Sequence, residues 1–163
     1  MVDLSEDGKK IGRLMTSTLL EAEMKVHETT LDDLHLHETG SPDTLVDIVG
    51  MAYFYDRLKL FDENIFSTPI SVGEGTVKIA HGVVPVPAPA TAKILEGMKY
   101  EHGPVQGELA THTGVAILKN LVNEFVIDDV NEFKIEPERV GCSTGTRKFG
   151  EGFESIFKVI YGK

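Results

Sequence analysis

The sequence predicts an α/β (α+β) protein, with one mixed β-sheet packed against about four helices in a single domain covering residues 1–163. Three observations carry this. Apolar residues recur at helical spacing in separate stretches. Between them lie short runs with period-two alternation, bounded by Gly and Pro. No internal repeat and no linker interrupts the 163 residues, a length that buries about 70% of the unfolded surface.

The first helix begins near Ser5 or Gly8 and runs to about Val26, because Ile11, Leu14, Met15, Thr18, Leu19, Ala22 and Val26 form one stripe. Thr30 and Asp33 read as the cap of one short turn. In Leu34-His35-Leu36-His37 the alternation indicates extended backbone with both imidazoles on one side. Ser41 as N-cap, Pro42 at the first helical position and Asp43 in the first turn start the next helix. Leu45, Ile48, Val49, Ala52 and Tyr55 form its apolar face, and it stops near Lys59.

Residues 64–72 read as a strand weakened by Pro69, followed by a Gly73-Glu74-Gly75 turn and a second strand over residues 76–80. The segment from His81 to Thr91 reads as extended and polyproline-like. A short helix over residues 90–96 closes at Gly97, and another extended piece covers residues 98–101. Thr111 or Thr113 caps a helix from Gly114 to about Phe125. Two last strands, residues 133–140 and 153–161, flank a turn containing GCSTGTRKFGEG.

Charge and cysteine content narrow the function classes. Sixteen basic against 26 acidic residues give a formal charge of −10. This argues against nucleic acid or an anionic membrane as partner, since both require clustered Lys and Arg, and it suits cation binding. A single cysteine makes no internal disulfide, so a cytoplasmic location is expected. The polar, acidic N-terminus lacks the apolar region of a signal peptide. The longest stretch without a formally charged residue, residues 79–92, contains Pro85, Pro87 and Pro89 and cannot form a spanning helix.

Several residue groups carry chemistry in principle. His35 and His37 aim two imidazoles at one ion, and Glu38 adds a carboxylate. Asp43 and Asp47 lie one helical turn apart; Asp43 complements the helix dipole, whereas Asp47 is too far along for that role. His81 precedes a rigid proline-rich segment that suits either a binding loop or a covering of the sheet edge. Glu108 precedes Thr111, His112, Thr113 and Gly114, where helix-start N–H groups hold an anion or simply receive a threonine cap. In GCSTGTRK, Arg147 with its neighbouring glycines and hydroxyls forms either a phosphate nest or an ordinary hairpin loop. The GxxxxGK[ST] phosphate loop does not occur. Nothing local marks Cys142 as activated.

Five motifs in order, EAEMKVH, HLHETGSPDTLVDIVG, STPISVGEGTVKIAHGVVPVPAPAT, GELATHTGVAIL and VGCSTGTR, extend from about Ala22 to the C-terminal part of the chain. Together they resemble the central part of the LarC-type nickel-insertion proteins of nickel-pincer cofactor biosynthesis. The resemblance implies that nickel is inserted into a pyridinium-3,5-bisthiocarboxylic acid mononucleotide in a CTP-dependent reaction with Mg or Mn. It implies a lyase-class chelatase acting with a separately encoded chain that supplies terminal segments, and it is compatible with a homo-oligomer. It implies His35, His37, Asp47 and His81 as metal ligands, and Glu38 and Glu108 as catalytic carboxylates. Thr111, Thr113, Gly114 and Arg147 are then the residues that hold the mononucleotide. The alternative is a non-catalytic metal- or nucleotide-binding module of the same fold. Thr111-His112-Thr113-Gly114 stands where the family reads T-P-T-G, and Ser41-Pro42 where it has small apolar residues.

Overall fold

A computed structural model describes residues 3–34, 40–79, 82–126, 136–150 and 152–163. Four α-helices are present: α1 (Glu6–His27), α2 (Pro42–Arg57), α3 (Pro89–Leu95) and α4 (His112–Leu121). Helix α1 begins where its sequence signals place it, since the Ser5 hydroxyl accepts from the Gly8 N–H. Helix α2 starts the same way, with the Ser41 hydroxyl accepting from Thr44 N–H and Pro42 at the first position. Helix α4 takes Thr111 as its cap and ends at Leu121. It is shorter than its apolar stripe suggests, because Glu124–Phe125 leaves the helix to pair as a strand.

The core forms around α1, which packs against α2, α3 and α4. Met15, Leu19, Ile94, Leu95, Val72 and Val115 are almost completely buried. Each such side chain contributes about 1.5–3 kcal/mol relative to exposure. Polar contacts fix the helix register around this core. Asn120 Nδ2 donates to Thr18 Oγ1 at 2.9 Å, joining α4 to α1. Lys119 Nζ donates to the Ile94 and Glu96 carbonyls and so satisfies the end of α3.

The β-structure consists of short two-stranded pairs of both orientations among the described residues. Residues 66–74 form its spine. Strand β1 (Phe66–Ser67) runs parallel to β8 (Glu124–Phe125). After the break at Pro69, β2 (Ile70–Ser71) runs parallel to β6 (Tyr100–Glu101). Then β3 (Gly73–Glu74) pairs antiparallel with β7 (Gly107–Glu108). The Gly73-Glu74-Gly75 segment is therefore part strand, not purely a turn.

Strands β4 (Thr76–Ile79) and β5 (Gly82–Pro85) form an antiparallel hairpin. The region after His81 is thus paired before it becomes proline-rich, and α3 begins directly at Pro89. The C-terminal hairpin joins β9 (Pro137–Thr144) to β10 (Ile156–Gly162). Gly141 to Thr144, expected in the turn, belong to β9, so the connecting loop starts at Gly145 and contains Arg147. No helix among the described residues is long and apolar enough to cross a membrane.

Candidate functional site

The site is built on a corner where two backbone segments come closer than side chains allow. Gly73 has φ +83°, and a Cβ placed there would lie 2.0 Å from the Gly107 carbonyl oxygen. Gly107 has φ +118°, and its Cβ would meet Arg147 Nη2 at 2.8 Å and Cζ at 3.2 Å. Both conformations are strained for any residue with a side chain. The two glycines let β3 and β7 pair and leave room for a guanidinium against the pair. The Leu109 N–H donates to the Val72 carbonyl at 3.1 Å and the Glu74 N–H to the Val105 carbonyl at 2.9 Å, which lock the corner on both sides.

Arg147 reaches this corner from the β9–β10 loop. Its Cζ lies 5.3 Å from the centre of the Phe149 ring, an arrangement worth about 0.5–1 kcal/mol at an exposed position. Phe149 in turn meets Phe153 edge-on with ring centres 6.1 Å apart. These aromatic contacts hold a cationic fork beside β7, and Arg147 as a residue remains exposed. Such a fork matches a phosphate or carboxylate.

Glu108 follows Gly107 in β7 and is half-buried. Three residues later, Thr111 caps α4, its hydroxyl accepting from the Gly114 N–H at 3.2 Å. The cap occupies the Gly114 donor. The His112 and Thr113 N–H groups stand at the helix start, where no intrahelical acceptor exists. The Thr113 side chain is buried, so it offers its backbone and not its hydroxyl. Arg147 thus meets β7 at Gly107, next to Glu108, and the Thr111 cap of α4 follows three residues later in the chain.

His102, not singled out by its sequence, also belongs to this corner. Its Nδ1 lies 2.9 Å from the Gly73 carbonyl oxygen, so this nitrogen carries the proton, and its ring meets Tyr100 edge-on. His112, which the sequence places at the start of α4, has its Nε2 buried without a hydrogen-bond partner among the described residues. The Thr91 hydroxyl, at the end of the proline-rich motif, shares that condition.

Asp47 and Asp43 are both exposed on α2. His35, His37, Glu38 and His81 lie outside the described residues. Among the described residues no group of three or more His, Cys, Asp or Glu side chains could hold a metal ion. Cys142 is exposed on β9.

Comparison with known proteins gives a consistent result. The family model for nickel insertion proteins matches residues 1–161. The pyridinium-3,5-bisthiocarboxylic acid mononucleotide nickel insertion protein of Desulfitobacterium hafniense is 45% identical over 128 residues, 78% of this chain and 30% of its own length. The protein of the same name in Clostridium kluyveri is 40% identical over 144 residues, 88% of this chain and 35% of its own. A relative in Methanothermobacter thermautotrophicus, provisionally named a nickel insertion protein, is 41% identical over 159 residues, 98% of this chain and 38% of its own. The chain thus spans roughly a third of the length of these curated relatives. No solved structure matches. With residues 1–161 matched by the family model, the chain belongs to the nickel insertion protein family.

Proposed function

We propose that this chain holds nickel and a pyridinium-3,5-bisthiocarboxylic acid mononucleotide together during nickel insertion. The observation that supports this most is the meeting of Arg147, Gly107 and Glu108 at one corner. It joins two sequence-distant motifs that would otherwise have no reason to be neighbours. In this reading nickel is the cargo, carried by His35, His37 and His81 with Asp47. Neutral imidazole binds nickel well, and a carboxylate adds charge to the set.

The phosphate of the mononucleotide lies against Arg147 and the start of α4. A chain of charge −10 repels an anion at long range, so reception depends on such local donors. When nickel bonds to the ring carbon, the C–H bond breaks and a carboxylate accepts the proton. Glu38 or Glu108 takes that role as general base. CTP, with Mg or Mn, is handled by a segment that the relatives carry outside the matched region or by a separately encoded chain.

The reading is tested by titrating the purified chain with nickel and with the mononucleotide, singly and together. Binding of both, each tightening the other, is expected. Nickel binding with no affinity for the mononucleotide would reduce the chain to a metal carrier.

A further inference from the structure

We propose that the exposed side of α1 and α2 is a self-complementary interface through which two copies of this chain form a symmetric dimer. The outer surface of α2 is apolar. Leu45 is 60% exposed, Val46 70%, Val49 40% and Tyr53 36%. Val46, Val49 and Tyr53 follow one another at spacings of three and four residues, and Leu45 lies one turn before Val49, so they form a continuous ridge. Leu45 and Val49 belong to the apolar stripe of the sequence, yet α1 covers only the Ile48 and Ala52 side.

Between the two helices runs a groove of about 480 Å³. Its floor is low because the helices cross closely: Gly12 stands against Ala52, where an added Cβ would be 3.4 Å away. One wall is Leu45 and Val49, and the other carries Lys9 and Arg13. The chain thus presents, side by side, an apolar ridge and a groove with a basic wall.

Charge identifies the occupant. The ridge on α2 is bordered by Asp43, which is exposed and makes no ion pair among the described residues. Arg13 also has no ion-pair partner among the described residues, while Lys9 pairs with Glu6 at 2.8 Å. A second copy brings the matching surface. Its apolar ridge fills the groove, and its Asp43 approaches Arg13. A two-fold axis makes each copy receive what it donates, which is the requirement of an isologous contact.

This inference is independent of the nickel reading.

The test is the mass of the full chain in solution, by light scattering and sedimentation over micromolar to submillimolar concentrations. A dimer of twice 17.9 kDa is expected, weakening at high salt. Val46→Lys sits at a 70% exposed position, so it leaves thermal unfolding of the subunit unchanged while raising the dissociation constant at least about tenfold. Arg13→Glu and Asp43→Lys each weaken the dimer, and combining them restores it. A wild-type monomer throughout would overturn the proposal. So would a dimer indifferent to Val46→Lys, which would place the contact elsewhere, for example on the exposed β9–β10 hairpin. Failure of the Arg13→Glu/Asp43→Lys pair to restore a dimer that each single change weakens would also overturn it.

Discussion

The guanidinium of Arg147 rests on the backbone of Gly107, so closely that a methyl group at residue 107 would lie 2.8 Å from Nη2. The two residues are forty positions apart. Their contact ties the loop of the C-terminal hairpin to the strand that carries Glu108. Gly107→Ala is expected to displace Arg147 and, at φ +118°, to strain the backbone by about 1–2 kcal/mol. Gly82→Ala, also at positive φ but with open space around its Cβ, carries only the strain. Calorimetric titration with the mononucleotide separates the two: Gly107→Ala loses affinity and Gly82→Ala keeps it. Equal affinities would remove Arg147 from the binding surface.

Arg147 itself gives the complementary prediction. Arg147→Ala is expected to weaken mononucleotide binding by about 1.5–3 kcal/mol, the range for hydrogen bonds to charged groups. Arg147→Lys recovers only part of this, since a point charge replaces a planar fork. Full recovery by lysine would mean that charge alone acts there.

The fold rests on α1, and its most buried side chain is Met15. Met15→Ala is expected to cost about 2–5 kcal/mol, the range for large-to-small changes in a packed core. Urea denaturation measures this directly. A cost under about 1 kcal/mol would show that the helices around Met15 collapse into the space.

Acid stability has one identifiable contributor at the α1–α2 junction. The Ser5 hydroxyl and the Ser5 N–H both donate to the Asp56 carboxylate, which lowers its pKa below the ordinary value of 3.8. A lowered folded pKa means that the contribution is complete above the unfolded pKa and disappears as pH falls through the folded one. Asp56→Asn should therefore reduce stability at neutral pH and leave it unchanged at the most acidic pH. Equal loss at both would assign the effect to packing against Gly8, whose added Cβ would be 3.0 Å from Asp56 Cβ.

The purified chain is not expected to turn over CTP, because its sequence contains no phosphate loop of the lysine and hydroxyl spacing that holds a triphosphate. Incubation with CTP and manganese, followed by chromatography of CMP, checks this. Turnover abolished by Arg147→Ala or Glu108→Gln would make the chain a complete enzyme.

Much of this architecture was legible because its signals are local. Ser5, Ser41-Pro42 and Thr111 announce three helix starts through groups that bond to the backbone within three residues. Other features depend on distant partners. Glu124–Phe125 continues the α4 stripe in sequence but is drawn into pairing with Phe66–Ser67. Leu45 and Val49 fit an apolar face, but nothing in the stripe tells which side α1 will cover. The glycine corner was equally hidden. Gly73 and Gly107 each look like an ordinary turn residue until the pairing of β3 and β7 brings them together. His102 belongs to the site only through its bond to the Gly73 carbonyl.

In the proposed function, histidines of this chain carry nickel to a substrate held beside Arg147. Calorimetric titration with nickel at about pH 7.5 and about pH 5.5 tests it most directly, because imidazole with a pKa near 6.5 must lose its proton to bind. The account predicts one tight site at the higher pH, strongly weakened at the lower, and absent when His35, His37 and His81 are all replaced by alanine. Undiminished affinity at the lower pH, or in that triple variant, would contradict it.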